Sequence, residues 1–301
     1  MSSAALRENP STTISRLDFT VGEGREIAEI AEARGWKVAA HDRMRSLNMR
    51  AYRLAVDEYS GQVRFLLPLT SRSRVLQMRS GWGSVALNVA GSAASVVALD
   101  DRPERLRFLA ARRDEAGIDT LETRFVRLGA RLPFEDGEFD AVIMLDALEH
   151  VGVTHGVFWR SEQQQALEEA YRVLKPKGQL LLAVPNKLGF ARPQSDEVEK
   201  LQTYSGYRNT LRRAGFRRVA FHAPLPSHRE PFFILPLGKR HLLNHFVDWI
   251  FTAQDYRSKL QARGLGAAYR AAWGAWRTGR KMRMTGLAKY IVPSYLIKAR
   301  K

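Results

Sequence analysis

Apolar positions along this chain change their spacing several times, and each change predicts an element. Residues 22 to 66 carry helical periodicity in two segments, Gly24 to Arg34 and Arg45 to Leu66, with acidic residues early in the first and arginines throughout the second. From there the pattern becomes short apolar runs separated by amphipathic stretches. The runs are Val75 to Met78, Ser95 to Leu99, Thr123 to Leu128, Ala141 to Leu145 and Gln179 to Val184. The stretches between them, Val85 to Ala90, Pro103 to Ala116 and Gln163 to Leu174, have helical spacing, and Asp100 and Asp101 before Pro103 suit a cap followed by a first-turn proline. Strands alternating with helices imply βαβ units and a parallel sheet. A helix from Tyr204 to Ala214 stops at Gly215, and a strand from Arg217 to His222 follows. The remaining stretch to Lys289 reads as a helical basic insertion, and Tyr290 to Ala299 as a last strand that returns beside Arg217 to His222. The expected architecture is a Rossmann-like, doubly wound, seven-stranded α/β sheet. Residues 1–70 would form a helical cover, 71–223 the core, 224–289 the insertion and 290–301 the final strand.

Composition narrows the class. At 301 residues, 45% hydrophobic and 26% charged, the chain suits one core near ~200 residues with appendages and excludes collagen-like and disordered classes. No apolar run reaches the ~20 residues of a membrane span; the nearest, Leu242 to Thr252, is broken by Asn244, His245 and Asp248. The opening MSSAALRENPSTTIS lacks an apolar signal region, so a cytoplasmic protein is expected. The absence of cysteine excludes disulfides, thiolate zinc sites and cysteine nucleophiles, and no histidine spacing supports a metal.

The net charge of +17 changes the picture by its distribution. From Gly238 to the C-terminus fourteen lysines and arginines face only Asp248 and Asp255. Such a block suits an anionic partner or a solvated helical face. Arg257, Lys259, Arg263, Arg270, Arg277, Arg280, Lys281 and Arg283 alternate with Trp249, Tyr269, Trp273 and Trp276, a mixture suited to peripheral contact with an anionic membrane. Packing of those aromatics onto the core is the competing reading.

The candidate chemistry lies where the runs end. In open α/β sheets ligands sit past the carboxyl ends of the strands, where strand order reverses. Gly81 and Gly83, after the natural central strand, allow close backbone approach and open a helix whose amides face the site. Asp100, at the end of the next strand, suits an acceptor for ribose hydroxyls, or a helix cap. His150, in the LEHV segment past the fourth strand, is the candidate base for an acceptor hydroxyl or a structural histidine; Asp146 and His155 are the fallbacks.

Four ordered segments, RVLQMRSGWGSVALNVA, VVALDDRPERL, LPFEDGEFDAVIMLDALEHV and EEAYRVLKPKGQLLLAVPN, together resemble the class I S-adenosylmethionine (SAM) methyltransferases, in particular the branch with ubiquinone and menaquinone methyltransferases. The stretch TYSGYRNTLRRAGFRRVAFHAPLPSHREP is similar to methyltransferases of bacterial surface-glycan and glycolipid pathways. The resemblance implies SAM as cofactor, held by Gln77, Arg79, Gly81, Gly83, Asp100, Leu128 and Asp146. It also implies a small-molecule, sugar or lipid-linked glycan acceptor and transfer to oxygen.

This chain departs from the family at three of those positions. Gln77 stands where an acid would engage the methionine ammonium, Arg79 where a glycine is usual, and Leu128 where an acid would meet adenine. A hydrogen bond to a charged group contributes roughly 1.5 to 3 kcal/mol, so losing two predicts about 100- to 10,000-fold weaker SAM binding. A catalytically silent protein of the same fold, acting as a binding or scaffold subunit, therefore stays open. Nucleic acid is not the expected partner: Val184-Pro185-Asn186 has the wrong order and position for an amino-methyltransferase motif, leaving only charge to suggest it.

Overall fold

The computed structural model describes residues 18–56, 64–127, 129–151, 158–189, 200–252 and 284–301, with 271, 274, 275, 277 and 278 between them. Eight strands form one sheet in the order β3-β2-β1-β4-β5-β8-β6-β7. They are β1 (Arg74–Met78), β2 (Ser95–Asp100), β3 (Leu121–Phe125), β4 (Phe139–Leu145), β5 (Leu174–Pro185), β6 (Arg217–Pro226), β7 (Pro231–Pro236) and β8 (Ser294–Arg300). The first five are mutually parallel, with Val75 opposite both Val96 and Ala141. Order reverses between β1 and β4, so their carboxyl ends flank a crevice.

The last strand lies where its alternation predicts. β8 runs antiparallel to β5 on one side and to β6 on the other, with Leu182 and Phe221 both opposite Ile297. Tyr290 falls just before it in a short helical turn, Ala288–Ile291. The expected count of seven strands is corrected to eight. Residues 231–236, PFFILP, form the edge strand β7 where the sequence suggested a helical insertion. Phe232, Phe233 and Ile234 favour a strand, and the prolines at each end of it are tolerated because β7 has a neighbour on one side only. Helix resumes over Arg240–Thr252, while Leu128, His155, Arg257, Lys259, Arg263, Tyr269, Arg270, Trp273, Trp276, Arg280, Lys281 and Arg283 lie outside the described residues.

Apolar side chains fill both faces of the sheet. Leu76, Val142 and Leu182 pack on one face with the helix Trp159–Val173, and Val75, Ile143 and Leu181 on the other with Ser84–Ala90. The N-terminal cover begins at a helix, Val21–Arg34, started by a capping box between Thr20 and Glu23 and ended at Gly35, whose φ of 92° a side chain would resist. A π-helical turn, Ala39–Met44, and the helix Met49–Val56 follow. Trp82 ties this cover to the sheet: its ring meets Phe19 at 5.5 Å and Phe108 at 5.3 Å, both edge-on, among Ile27, Met44 and Ala51.

Candidate active site

At the carboxyl end of β2 the Asp100 carboxylate is fully buried. Its Oδ2 accepts the Gly81 amide at 2.8 Å, and its Oδ1 accepts the Arg102 amide at 3.0 Å and Arg105 Nη1 at 3.3 Å. Burial raises its pKa above the ordinary value, against the pull of Arg105 and Arg79. Arg105 also pairs with Asp18 from the cover, as do Arg102 at 3.0 Å and the Trp82 indole at 2.9 Å. Burial acts to raise Asp18, but these two arginines and the indole outweigh it and hold its pKa down. The cover thus closes one wall of the crevice through a buried charge network.

The two glycines of the β1 turn do different work. Gly81 has φ 57°, and a Cβ there would meet nothing within 4 Å, so open space lies directly over the backbone beside Asp100. Gly83 has φ 94°, and a Cβ there would come within 2.2 Å of Leu109 Cδ1; its freedom serves close packing against the helix Pro103–Glu115.

On the β4 side the crevice is crowded with charge. Arg79 and Asp146, immediately after β1 and β4, both have left-handed backbones, φ 58° and 49°. Each such residue stores about 1 to 3 kcal/mol of strain, which surrounding structure must over-determine. Arg79 Nη1 donates to the Asp146 carbonyl at 2.7 Å, bridging the two strand ends. The Asp146 carboxylate accepts His228 Nε2 at 2.6 Å and Arg229 Nε and Nη2, each at 2.8 Å. Burial acts to raise Asp146, but Arg229 and His228 outweigh it and hold its pKa well below the ordinary value. Glu149, in the turn Leu148–His150, is 2% exposed and neither carboxyl oxygen has a hydrogen-bond partner. Burial, reinforced by the Asp146 charge, pushes it up to about 8. Gln77 is buried with Oε1 likewise unpartnered, and His150 is half-buried at the end of its turn, its amide bonded to the Ala147 carbonyl at 3.2 Å.

Of the expected residues, the fold gathers Gln77, Arg79, Gly81, Gly83, Asp100, Asp146 and His150 around the ends of β1, β2 and β4. Sequence reasoning passed over Asp18, Arg105, Glu149, His228 and Arg229. Glu149 stood in the LEHV segment as an ordinary acid; only its burial makes it unusual. His228 and Arg229 sit in the connection between β6 and β7, and an adjacent His-Arg pair after Pro226 was the available signal.

The nucleoside end of the crevice fits SAM. A carboxylate offers about four lone-pair positions, and Asp100 uses three, leaving Oδ2 able to accept a ribose hydroxyl over the open Gly81 turn. At the methionine end the Gln77 and Glu149 oxygens are unpartnered acceptors suited to an ammonium group, and Arg79 donates to the Asp146 carbonyl beside them.

Comparison with known proteins agrees with this geometry. Residues 76–182 match a family described as "Methyltransferase domain". The matched segment spans the crevice from β1 to β5, and the sheet that carries it has the fold of the class I, SAM-dependent methyltransferases. Among curated proteins, the chain is 36% identical over 110 residues to a demethylmenaquinone methyltransferase of Clavibacter sepedonicus, covering 36% of this chain and 40% of that one. It is 35% identical over 105 residues to an uncharacterised protein of Mycobacterium tuberculosis, covering 35% of this chain and 34% of the relative. The chain thus matches well under half the length of these relatives. Two solved structures share the fold. A phosphoethanolamine N-methyltransferase of Haemonchus contortus, in complex with phosphomonomethylethanolamine and S-adenosylhomocysteine, aligns with TM-score 0.52 at 15% identity over 92% of this chain and 60% of that one. The [4+2]-cyclase SpnF aligns with TM-score 0.51 at 20% identity over 85% and 82%.

Proposed function

We propose that this protein is a SAM-dependent methyltransferase that methylates an oxygen of a small molecule, a sugar or a lipid-linked glycan. The observation that carries the reading is the coincidence of the matched domain with a switch-point crevice in which the buried Asp100 faces the open Gly81 turn. In this reading Asp100 and the Gly81 turn hold the ribose, Gln77 and Glu149 border the methionine end, and Arg79 moves aside as SAM enters. SAM supplies an electrophilic methyl group. The protein holds the acceptor oxygen in line with that methyl, excludes water and removes the hydroxyl proton, so proximity and orientation supply much of the rate. Phe232, 81% exposed, follows His228 by four residues at the edge of the sheet, which favours an acceptor presented from a membrane surface over one taken from bulk water.

The second reading, a catalytically silent binding subunit, is favoured by Arg79, whose cationic side chain crosses the methionine end. Calorimetric titration with SAM and S-adenosylhomocysteine separates the two. The enzyme reading expects binding by the wild type, weakened about 10- to 100-fold by Asp100→Asn and strengthened by Gln77→Asp with Arg79→Gly. No binding by any of these at millimolar ligand leaves the silent subunit as the answer.

A further inference from the structure

We infer that His228, held by Asp146, is the general base that takes the proton of the acceptor hydroxyl. The inference rests on the methyl-transfer reading and adds to it the residue on the acceptor side. β6 and β5 are both antiparallel to β8, so β6 ends at the same edge as the carboxyl ends of β4 and β5. The turn after Pro226 therefore falls over the crevice although β6 lies three strands away from β4 in the sheet. The His228 amide is fixed there by Ser294 Oγ at 3.0 Å, and its imidazole reaches back to Asp146 with Nε2 2.6 Å from Oδ1.

That contact decides the tautomer. Asp146 already accepts two bonds from the Arg229 guanidinium, and as a carboxylate it can only accept. Nε2 must then carry a proton, so in the neutral imidazole Nδ1 is the lone-pair nitrogen. Nδ1 is buried and has no hydrogen-bond partner. A buried imidazole nitrogen with nothing to bond is destabilising in a purely structural role. The cost has a purpose if an acceptor hydroxyl supplies the missing donor. The unpartnered Glu149 oxygens feel the charges of Asp146, Arg229 and Arg79, so the same few residues border a second group that lacks a partner. His150, the base expected from the sequence, is half-buried at the end of the turn Leu148–His150.

In the step itself the acceptor oxygen forms a bond to the methyl carbon while the bond from that carbon to sulfur breaks, its electron pair staying on sulfur. The hydroxyl proton passes to His228 Nδ1, and the imidazolium formed is stabilised by the Asp146 carboxylate until it returns the proton to water. The arrangement is a base oriented by a carboxylate, so removing the base should lower turnover while leaving SAM affinity unchanged.

The test uses the full chain with tritiated SAM and three acceptor probes: 4-nitrocatechol, 4-nitrophenyl glycosides and a total lipid extract of the expression host. His228→Gln is the informative variant because its amide can still donate to Asp146. We expect kcat to fall about 100- to 10,000-fold with KM and the calorimetric SAM affinity within about twofold of wild type. In the 15N spectrum of the imidazoles, His228 should be protonated at Nε2 in the wild type and at Nδ1 in Asp146→Asn, whose amide donates to Nε2. Undiminished transfer by His228→Gln, or loss confined to His150→Gln, overturns the assignment while leaving the methyl-transfer reading intact. A wild type that neither binds SAM nor labels any probe overturns both. A wild type that binds SAM but labels none of the probes is decided by the spectrum, where an Nδ1-protonated His228 overturns the inference.

Discussion

Glu149 and Asp146 are three residues apart in the segment that follows β4, and their environments push them in opposite directions. Asp146 has three charge-assisted bonds and stays ionised, while Glu149 has none and is pushed up to about 8, from an ordinary value of 4.5. Glu149 therefore binds its proton more tightly in the folded than in the unfolded chain. Its contribution to stability is fully present below about pH 4.5, declines as pH rises, and is gone above about pH 8. Asp146 behaves oppositely, contributing above its ordinary 3.8 and losing that contribution as acid protonates it. Between those ranges Glu149 dominates the pair. Thermal unfolding from pH 5 to pH 9 should show a decline in wild-type Tm that is shallower in Glu149→Gln, whose carboxamide stays neutral throughout; equal slopes would mean that Glu149 is ionised in the fold. None of this could be read from LEHV, because a short acidic segment after a strand does not reveal whether its acid finds a partner. The placement of Asp100 and Gly81 at the crevice was legible for the opposite reason, since it follows from neighbours in a local strand–turn–helix pattern. The His228–Asp146 pair joins residues 82 apart, and only the direction of β6 brings them together.

Elements, more than single residues, set the shape of the crevice, and the N-terminal cover is the one most dependent on a single side chain. Trp82 belongs to the glycine turn yet is 8% exposed, wedged between Phe19 and Phe108 with its indole N–H donating to Asp18. Trp82→Ala removes that wedge and one partner of the Asp18 network, which should cost about 3 to 5 kcal/mol. At roughly 2 to 4 °C per kcal/mol for a chain of this size, Tm should fall by roughly 6 to 20 °C. Limited proteolysis should then cut within residues 18–56 before it cuts the sheet, and simultaneous loss of both would mean that the cover is not anchored through Trp82. Strands β1, β2, β4 and β5 were legible because a buried parallel strand is a continuous apolar run bounded by turn residues. β7 was not, because Phe232 and Phe233 sit in a basic stretch and point partly to solvent, which hides the alternation of a half-buried strand. That one element carries the correction from seven strands to eight, and its hairpin delivers His228.

For the whole molecule, most of the excess positive charge and a cluster of exposed aromatics fall on the last third of the chain, beyond the matched domain. Phe232, Phe233, Leu242 and Trp249 are 81%, 42%, 39% and 47% exposed, and the rings of Phe233, Phe246 and Trp249 pack edge-on or tilted within about 6 Å of one another. Lys239, Arg240 and His241 are exposed beside them at the start of the helix Arg240–Thr252. No described helix is long and apolar enough to cross a membrane. Aromatic rings settle at headgroup depth, and each lysine or arginine near an anionic surface adds about 1 kcal/mol. The two described cations beside the rings, with the others of the C-terminal block, should retain the protein on anionic vesicles at low salt and release it as screening rises. Flotation with vesicles of phosphatidylglycerol mixed with phosphatidylcholine, against phosphatidylcholine alone, should bring the protein up only with the anionic lipid. Phe232→Ser with Trp249→Ser should reduce the floated fraction without changing Tm by more than a few degrees, since Phe232 is mostly exposed and Trp249 is half-exposed. Equal behaviour on the two kinds of vesicle would remove the membrane from the proposal and leave the exposed rings to cover a soluble acceptor.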